Sequence, residues 1–322
     1  MGSGPTRPDT HSVDDRLVRR LVAGRFPRWA DLPLVRFPSG GTVNAMYRLG
    51  DDMVVRLPLI EGGAGDVPTE RVWLPRLSSR LPVAIPEVLG EGEPAEGYPW
   101  PWSVYRWLPG RIPEAGALAE PVPLARDLAG FVAAMREVAL PGAPVAHRGG
   151  PLSTLDAETR DALGRLRDLP GERVDCDALT AVWEDALRAP AWDGPPVWLH
   201  ADLMPGNLLV DGGRLSAVID FGCTGVGDPA CDLFPAWNLL PPEGRAVFRE
   251  ALGVDDATWR RGRGRTLSQA VIALPHYWRT NPAMAGNARH VIRAVLAEVD
   301  RWRPVPGQSA ARSLDGPRDN PA

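Results

Sequence analysis

Oxygen-bearing side chains recur at short intervals in one stretch of the chain. The stretch contains HADLMPGN at residues 200–207, IDFG at residues 219–222 and GDPACDL at residues 227–233. Asp202 can accept the proton of a hydroxyl group, Asn207 follows five residues later, and Asp220 lies beyond a predicted hairpin. An aspartate, an asparagine and a second aspartate in this order form the acidic half of a site for phosphoryl transfer.

The roles of these three residues follow from what the reaction requires. Phosphoryl transfer is catalysed by aligning a hydroxyl with the terminal phosphate and by neutralising charge with magnesium. Asp202 comes directly after a predicted apolar strand at residues 197–199, where the chain is expected to open into a cleft, so its carboxylate is the candidate for contacting the hydroxyl. Magnesium prefers oxygen ligands, and Asn207 and Asp220 supply an amide oxygen and a carboxylate.

A hairpin would bring the separated metal ligands together. Two apolar runs, residues 208–210 and 215–219, flank the turn sequence DGGR, which is typical of β-hairpins. The second strand would return the chain after Ile219 to the neighbourhood of the first ligand. Beyond it, Asp228 followed by Pro229 predicts the start of a helix with aspartate as its N-cap, and Asp232 falls one turn into that helix.

With these motifs in this order, the segment resembles the aminoglycoside phosphotransferase and choline kinase-like superfamily, which shares the bilobal fold of protein kinases. The resemblance implies an α+β fold with a small, β-rich N-lobe that contains a helix and a larger, mainly helical C-lobe. It implies ATP as the phosphoryl donor and Mg2+ as the metal. It further implies that His200 supports the catalytic loop and that Asp232 bonds the backbone amides of that loop.

The resemblance extends to the first half of the chain. SGGTVNAMYRL at residues 39–49 is similar to the family's nucleotide-covering loop and the strand after it. Ser39, Gly40 and Gly41 would approach the phosphates, although an ordinary hairpin turn is an alternative. In the next strand Arg56 stands where kinases carry a phosphate-binding lysine. Glu70 on the following helix is its expected partner; two solvated surface charges are the alternative.

Arginine replaces lysine throughout this chain. It contains no lysine, so all 36 basic side chains are arginine, and arginine can bind phosphate with a planar fork of donors. The block YPWPWSVYRWLPG at residues 98–110 resembles the strand and hinge between the lobes. The backbone of Tyr105, Arg106 and Trp107 is therefore expected to bind the adenine edge, although aromatic residues this dense also suit core packing between lobes.

The composition is that of an ordinary globular protein. The 322 residues are 44% hydrophobic and carry a net charge of −4, without a basic cluster that would suggest nucleic acid as a partner. The three cysteines lack a metal-binding spacing, and no signal peptide or membrane span is evident, so we expect a cytoplasmic protein. The expected organisation is a disordered leader, an N-lobe, a C-lobe and a disordered tail, over residues 1–12, 13–108, 109–303 and 304–322.

Hydrophobic periodicity predicts the helices and strands of each lobe. In the N-lobe it predicts helices near residues 13–25 and 67–81, the second kinked or split by Pro75, and strands near residues 34–37, 43–49, 53–57, 87–90 and 103–107. In the C-lobe the predicted helices lie near residues 124–138, 157–169, 176–188, 229–240, 242–252, 256–274 and 284–301.

Two features favour a small molecule over a protein as the acceptor. Ala201 stands where regulated protein kinases usually carry arginine, and only seven residues separate Asp220 from Asp228, too few for a peptide-binding segment. The resemblance therefore implies an ATP-dependent phosphotransferase acting on a small-molecule hydroxyl. An antibiotic, such as an aminoglycoside or a nucleoside, is the favoured acceptor, for resistance or self-protection. No protein substrate, nucleic acid or membrane partner is expected.

Two other functions remain open on the sequence alone. A metabolic kinase for an amino alcohol, amino sugar or nucleoside would share every motif above, and a pseudokinase would bind nucleotide without transferring phosphate. Acidic and aromatic residues of the C-lobe are candidates for the acceptor pocket, although surface charge and core packing explain them equally. They are Glu243, Asp255, Asp256, Glu298, Asp300, Trp237, His276, Tyr277, Trp278 and Asn281.

Overall fold

The computed structural model of the protein describes residues 13–37 and 43–300. The predicted leader over residues 1–12, the predicted tail over residues 304–322 and the loop residues Ser39, Gly40 and Gly41 lie outside these ranges. The described part folds into a β-rich N-lobe and a mainly helical C-lobe, as the sequence predicts.

The N-lobe is built on a five-stranded antiparallel sheet with the strand order β1-β2-β3-β5-β4. Its strands are β1 (Leu34–Arg36), β2 (Asn44–Leu49), β3 (Met53–Pro58), β4 (Val88–Gly92) and β5 (Trp102–Arg106). Its helices are α1 (Asp15–Arg25), the short α2 (Glu61–Ala64) and α3 (Asp66–Leu77). Helix α1 begins at Asp14, whose side chain accepts a hydrogen bond from the amide of Leu17.

The alternation of side chains between the two faces of β3 decides on which face of the sheet Arg56 lies. Every residue of β3 is buried, because both faces of the sheet are covered. Met53, Val55 and Leu57 pack in a core with α1, whereas Val54 belongs to a core shared with the C-lobe. Successive side chains of a strand point to opposite faces, so Arg56 lies on the face of Val54, toward α3 and the C-lobe.

The C-lobe surrounds two small antiparallel sheets with helices. These helices are α4 (Pro121–Arg136), α5 (Asp156–Arg167), α6 (Cys176–Arg188), α7 (Pro235–Asn238), α8 (Pro242–Leu252), α9 (Asp256–Tyr277) and α10 (Pro282–Asp300). One sheet pairs β6 (Val197–Leu199) with β9 (Gly225–Gly227), and the other is the predicted hairpin of β7 (Leu208–Asp211) and β8 (Arg214–Val218). None of the helices in the described ranges is long and apolar enough to cross a membrane.

Two helix predictions differ from the structure. Pro75 does not split α3, which continues through it to Leu77 and leads into the 3-10 turn Ser78–Arg80, so the α-helix ends within one turn of the proline. The helix predicted over residues 229–240 is broken into the 3-10 turn Pro229–Leu233 and the short α7. Asp232 has non-helical backbone angles at this break, and proline at the first position of α7 starts a new helix.

One hydrophobic core runs through both lobes. It contains Trp73 and Leu77 of α3 and Tyr105 of β5, together with buried side chains of α4, α5, α6 and α9. The ring centroids of Trp73 and Trp198 are 4.8 Å apart, which joins α3 directly to β6. Helix α3 therefore packs as part of both lobes.

Alanine at Gly225 is expected to destabilise the fold. A Cβ at this position in β9 would lie 2.5 Å from the carbonyl oxygen of Pro144 and 2.6 Å from the amide nitrogen of Ala146. Both are backbone atoms, which cannot yield as the end of a flexible side chain does. We expect Gly225→Ala to lower the free energy of unfolding by about 1–3 kcal/mol in urea denaturation.

Gly164→Ala is the matched control. A Cβ at Gly164, on the exposed side of α5, would meet no atom within 4 Å. Alanine is the better helix former, so this variant should gain about 0.5–1 kcal/mol. Equal effects of the two substitutions would contradict the packing of β9 described here.

Candidate active site

The predicted catalytic loop begins after Leu199, the last residue of β6, and Asp232 fixes its backbone. Asp232 Oδ2 accepts a hydrogen bond from the amide of His200 at 2.8 Å, and Oδ1 accepts one from the amide of Ala201 at 2.7 Å. The predicted bonds from Asp232 to the loop amides are therefore present. Burial raises the pKa of Asp232, while His200 and the two amide donors oppose that rise. Ala201 is held at φ +65°, a left-handed conformation that costs a non-glycine residue free energy.

His200 ties the catalytic loop to the segment that carries Asp220. Its Nδ1 accepts a hydrogen bond from the amide of Asp202 at 3.2 Å, which assigns the proton to Nε2. Nε2 donates to the carbonyl of Ile219 at 3.1 Å. The ring also lies edge-on to Phe221, with the centroids 4.6 Å apart. The buried imidazole therefore links residues 200–202 to the backbone beside Asp220.

Asn207 connects the proposed base to the proposed metal site. Its amide nitrogen donates to the carboxylate Oδ2 of Asp202 at 3.1 Å and to the carbonyl of Asp202 at 2.9 Å. The 3-10 turn Pro205–Asn207 positions the side chain, and the amide of Ile219 donates to the carbonyl of Asn207 at 2.9 Å. With its nitrogen directed at Asp202, Asn207 keeps its side-chain oxygen free of hydrogen bonds to the described residues.

Asp220 supplies the second candidate ligand. Its backbone is left-handed, with φ +67°, and its side chain is 38% exposed. Magnesium prefers oxygen ligands and usually keeps several waters, so the amide oxygen of Asn207 and the carboxylate of Asp220 fit it chemically. Over the described ranges, no group of three or more His, Cys, Asp or Glu side chains could hold a metal. The candidate centre therefore consists of one amide and one carboxylate.

The guanidinium of Arg56 is surrounded by carboxylates. Nη1 donates to the two carboxylate oxygens of Glu70 at 2.9 and 3.0 Å, which is the predicted pairing. Nη2 donates to Asp220 at 3.0 Å and to Asp66 at 3.4 Å. With its amide turned to satisfy both groups, the oxygen of Asn44 lies 3.0 Å from Nε. Burial lowers the pKa of Arg56, but the carboxylates of Glu70 and Asp220 raise it well above its usual value.

Glu70 is buried and accepts hydrogen bonds from three segments of the chain. Besides Arg56 on β3, the amide of Phe221 donates to Oε1 at 2.9 Å, and the hydroxyl of Tyr105 on β5 donates to Oε2. Burial raises the pKa of Tyr105 well above its usual range, and the adjacent carboxylate raises it further, so the hydroxyl remains a donor. Glu70 thus holds the sheet, α3 and the segment after Asp220 in one arrangement.

Asp66 is a residue of this site that the sequence analysis missed. It lies in the first turn of α3, four residues before Glu70 and so on the same helix face. The pKa of its carboxyl group is raised to about 6. Burial is the main cause, the carboxylates of Asp220 and Glu70 contribute, and Arg56 opposes the rise. A Cβ at Gly222 would lie 2.3 Å from the carboxyl carbon of Asp66, so glycine there makes room for this side chain. The spacing of four residues was the available signal.

The backbone of the predicted hinge is partly engaged within the protein. The amide of Arg106 donates to the carbonyl of Glu87 at 2.9 Å, and the amide of Trp107 donates to the carbonyl of Asp52 at 2.7 Å. Tyr105 is buried. These bonds continue the hydrogen bonding of β5 past its last residue. Contacts of Arg106 and Trp107 with an adenine edge would therefore use their carbonyl groups.

Three of the acidic residues considered for a polycationic acceptor are bonded within the C-lobe. Asp255 accepts from the amide of Thr258, Asp256 pairs with Arg249, and Glu298 accepts from the indole nitrogens of Trp237 and Trp259. Glu243 is exposed at the start of α8, and the side chain of Asp300 lies outside what the structure describes. Trp237 is fully buried. Asp255, Glu298 and Trp237 are therefore engaged within the fold of the lobe, whereas the side chain of Asp256 is 90% exposed.

Arg148 is a second residue that the sequence analysis missed. Its guanidinium forms an ion pair with Asp202, which lies 54 residues further along the chain. Arg148 lies in an irregular segment between α4 and α5. No motif or periodicity marked it, because its place beside Asp202 arises only from the packing of distant segments.

Comparisons with known proteins agree with this architecture. The model of the phosphotransferase enzyme family (APH) matches residues 34–265. A comparison with curated proteins gives no match. Among solved structures, a GDP complex of aminoglycoside 2'-phosphotransferase-IIIa is 20% identical with a TM-score of 0.68, covering 89% of this chain and 100% of that chain.

A second similar structure is macrolide 2'-phosphotransferase MphH from Brachybacterium faecium, as the apoenzyme. It is 22% identical with a TM-score of 0.57, and the match covers 87% of this chain and 98% of that chain. These likenesses show the fold. The family model spans β1 to α9 and includes Arg56, Glu70, Asp202, Asn207 and Asp220. The chain belongs to the phosphotransferase enzyme family.

Proposed function

We propose that this phosphotransferase moves the γ-phosphoryl group of ATP to a hydroxyl group of a small molecule, with Mg2+ as its metal. One observation carries the proposal. Asn207 donates to the carboxylate of Asp202, the amide of Ile219 beside Asp220 donates to the carbonyl of Asn207, and Asp220 accepts from the phosphate-binding candidate Arg56. A base, two oxygen ligands and a cation in one cleft are the components that phosphoryl transfer requires.

In the proposed reaction, Asp202 orients the acceptor hydroxyl and takes its proton. The hydroxyl oxygen forms a bond to the γ-phosphorus while the bond from that phosphorus to the β–γ bridging oxygen breaks, giving a phosphate ester and ADP. Asn207 and Asp220 would hold Mg2+, which neutralises charge on the phosphates when it is bound. Asn207 also holds the carboxylate of Asp202 through its amide nitrogen.

Arg56 is proposed to bind the phosphates of the nucleotide, with Glu70 holding it in place. Glu70 takes both hydrogen bonds of Nη1, whereas Nη2 contacts Asp220 and Asp66 and Nε contacts the amide oxygen of Asn44. Nη2, which lies next to the proposed metal ligand Asp220, is the group proposed to contact phosphate. Ser39, Gly40 and Gly41 are proposed to cover the phosphates from the N-lobe. The backbone at Tyr105, Arg106 and Trp107 is proposed to bind the adenine edge.

The proposed acceptor is a natural-product antibiotic, and the proposed role is resistance or self-protection in the cytoplasm. The similar solved structures are aminoglycoside and macrolide 2'-phosphotransferases. The three cysteines are free thiols, which suits a reducing compartment. The short connection from Asp220 to Asp228 supports a small acceptor in place of a peptide.

A screen of acceptors tests this proposal. Purified protein with Mg-ATP or Mg-GTP is offered aminoglycosides, macrolides, nucleoside and peptide antibiotics, amino alcohols and amino sugars. Release of nucleoside diphosphate and the mass gain of one phosphoryl group are the readouts. Phosphorylation of an antibiotic supports the proposal. Phosphorylation confined to metabolites would replace it with a metabolic kinase, and nucleotide binding without any transfer would favour a pseudokinase.

Asp202→Ala is expected to lower the rate of transfer by about 10³-fold, because general base catalysis is lost, while Mg-ATP still binds. Steady-state kinetics and calorimetric titration with Mg-ATP measure the two effects separately. Asp211→Ala, which removes an exposed carboxylate from the turn of the β7–β8 hairpin, is the control and should behave as the wild type. Near-wild-type turnover by the Asp202 variant would show that the base is assigned wrongly.

Arg56→Met is expected to reduce both stability and nucleotide affinity. It leaves the buried carboxylate of Glu70, which is 1% exposed, without its cation, and removing one partner of a buried pair costs about 3–5 kcal/mol. Arg56→Lys keeps the positive charge but not the fork of donors, so it should lose less stability and less nucleotide affinity than Arg56→Met. Urea denaturation and the KM for ATP are the measurements. An Arg56→Met variant as stable as the wild type would contradict the buried pairing.

Asp220→Ala is expected to raise the Mg2+ concentration that gives half-maximal rate by about tenfold or more. The reason is that one of the two proposed protein ligands is lost. A titration of the initial rate with magnesium chloride at fixed ATP measures the shift, with Asp211→Ala again as the control. Turnover that persists in excess EDTA would contradict a role for the metal.

A further inference from the structure

Arg148 lies in a short irregular segment that packs against the loop after Asp220. This segment, residues 144–150, is called the Arg148 segment. Backbone hydrogen bonds hold it to β9 and its flanks: Ala146 N donates to Val226 O at 3.0 Å, Val226 N to Pro144 O at 2.8 Å, His147 N to Cys223 O at 3.2 Å, and Asp228 N to Gly149 O at 3.0 Å. The segment is therefore fixed to the same loop that carries Asp220 and Asp228.

A buried arginine of α9 anchors the segment from its other side. Arg265 is 2% exposed. Its Nη1 donates to the carbonyl of Arg148 at 2.5 Å, and its Nη2 donates to the carbonyl of Gly150 at 2.6 Å. The thiol of Cys231 also donates to the carbonyl of Arg148, at 3.3 Å. These three hydrogen bonds hold the backbone of the segment in one position at Arg148.

From this fixed backbone the guanidinium of Arg148 reaches the catalytic loop. Its Nη1 pairs with Asp202 Oδ1 and lies 3.3 Å from the carbonyl of Ala201. Asn207 occupies the other oxygen, Oδ2, of the same carboxylate. Asp202 therefore has one donor on each oxygen before any substrate is present. Each carboxylate oxygen can accept a second hydrogen bond, so both retain a position for the acceptor hydroxyl.

We propose that Arg148 is a positioning residue for phosphoryl transfer, which fixes the carboxylate of Asp202 through Oδ1 while Asn207 fixes it through Oδ2. The inference rests on the proposed function, because it acts through the proposed base. The two donors set the rotation of the carboxylate. A misplacement of such a group by about 1 Å lowers the rate of phosphoryl transfer by about 10²-fold. The contact between Arg148 and Asp202 is therefore expected to affect turnover and not nucleotide binding.

The test uses Mg-ATP with water as the acceptor, so that no substrate has to be identified first. Single-turnover release of ADP and calorimetric binding of Mg-ATP are measured for wild type, Arg148→Gln, Arg148→Lys and Arg148→Ala. Arg148→Gln should slow turnover by about 10–100-fold and leave the dissociation constant for Mg-ATP unchanged. Arg148→Lys should recover part of the rate, and methylguanidinium added to Arg148→Ala should recover part of it as well.

A double-mutant cycle separates positioning from a general structural effect. In the Asp202→Ala background, Arg148→Gln should have almost no further effect, because the group on which it acts is gone. Arg160→Gln, on the exposed face of α5 where Arg160 pairs with Asp156, is the control for removing an arginine and should turn over as the wild type.

Three results would overturn the inference. The first is a wild-type turnover rate for Arg148→Gln. The second is an equal loss of rate on adding Arg148→Gln to the wild type and to Asp202→Ala. The third is no recovery of rate by lysine or methylguanidinium in variants that melt at the same temperature as Arg160→Gln. A wild-type protein that fails to bind Mg-ATP overturns the proposed function and this inference with it. If the wild type binds and hydrolyses Mg-ATP and the Arg148 variants hydrolyse it at the same rate, this inference alone is overturned.

Discussion

The ion pair between Arg56 and Glu70 is the interaction on which the rest of the cleft depends. A carboxylate buried as deeply as Glu70 is stable only when donors surround it, and its donors come from β3, β5 and the segment after Asp220. The sheet, α3 and the candidate metal loop must therefore keep their relative positions for this one group to be satisfied. Arginine suits the position because its fork of donors binds the carboxylates of Glu70, Asp220 and Asp66 at once, which the ammonium group of a lysine does less well.

Within the candidate site, backbone strain lies at or next to the proposed base Asp202 and the proposed metal ligand Asp220. Ala201 and Asp220 both have positive φ angles, and each such residue costs about 1–3 kcal/mol unless its surroundings enforce it. The surroundings enforce these angles here. Asp232 accepts from the amides of His200 and Ala201, and the ring of His200 bonds the amide of Asp202 and the carbonyl of Ile219. Asp202 and Asp220 thus project from backbone that is held by buried polar groups.

The sequence predicts those parts of the site whose partners are near in the chain or belong to a spaced motif. The hairpin between Asn207 and Asp220 followed from turn chemistry, whereas the bonds of Asp232 and the pairing of Arg56 with Glu70 followed from the resemblance to the aminoglycoside phosphotransferase and choline kinase-like superfamily. Arg148 could not be predicted, because its contact with Asp202 exists only once the Arg148 segment docks on β9. The predicted split at Pro75 was wrong because the α-helix passes through the proline and ends two residues later, and helix ends are weakly encoded in the sequence.

The shared core under α3 makes the two lobes one cooperative unit. Trp73 packs on Trp198 of β6 while its neighbours along α3 support the sheet, so neither lobe can lose its structure without exposing apolar surface of the other. A ligand bound at the cleft would accordingly stabilise the whole chain by mass action and not one lobe alone. Separation of the lobes along α3 would expose the apolar faces of Trp73 and Trp198, and would therefore amount to partial unfolding.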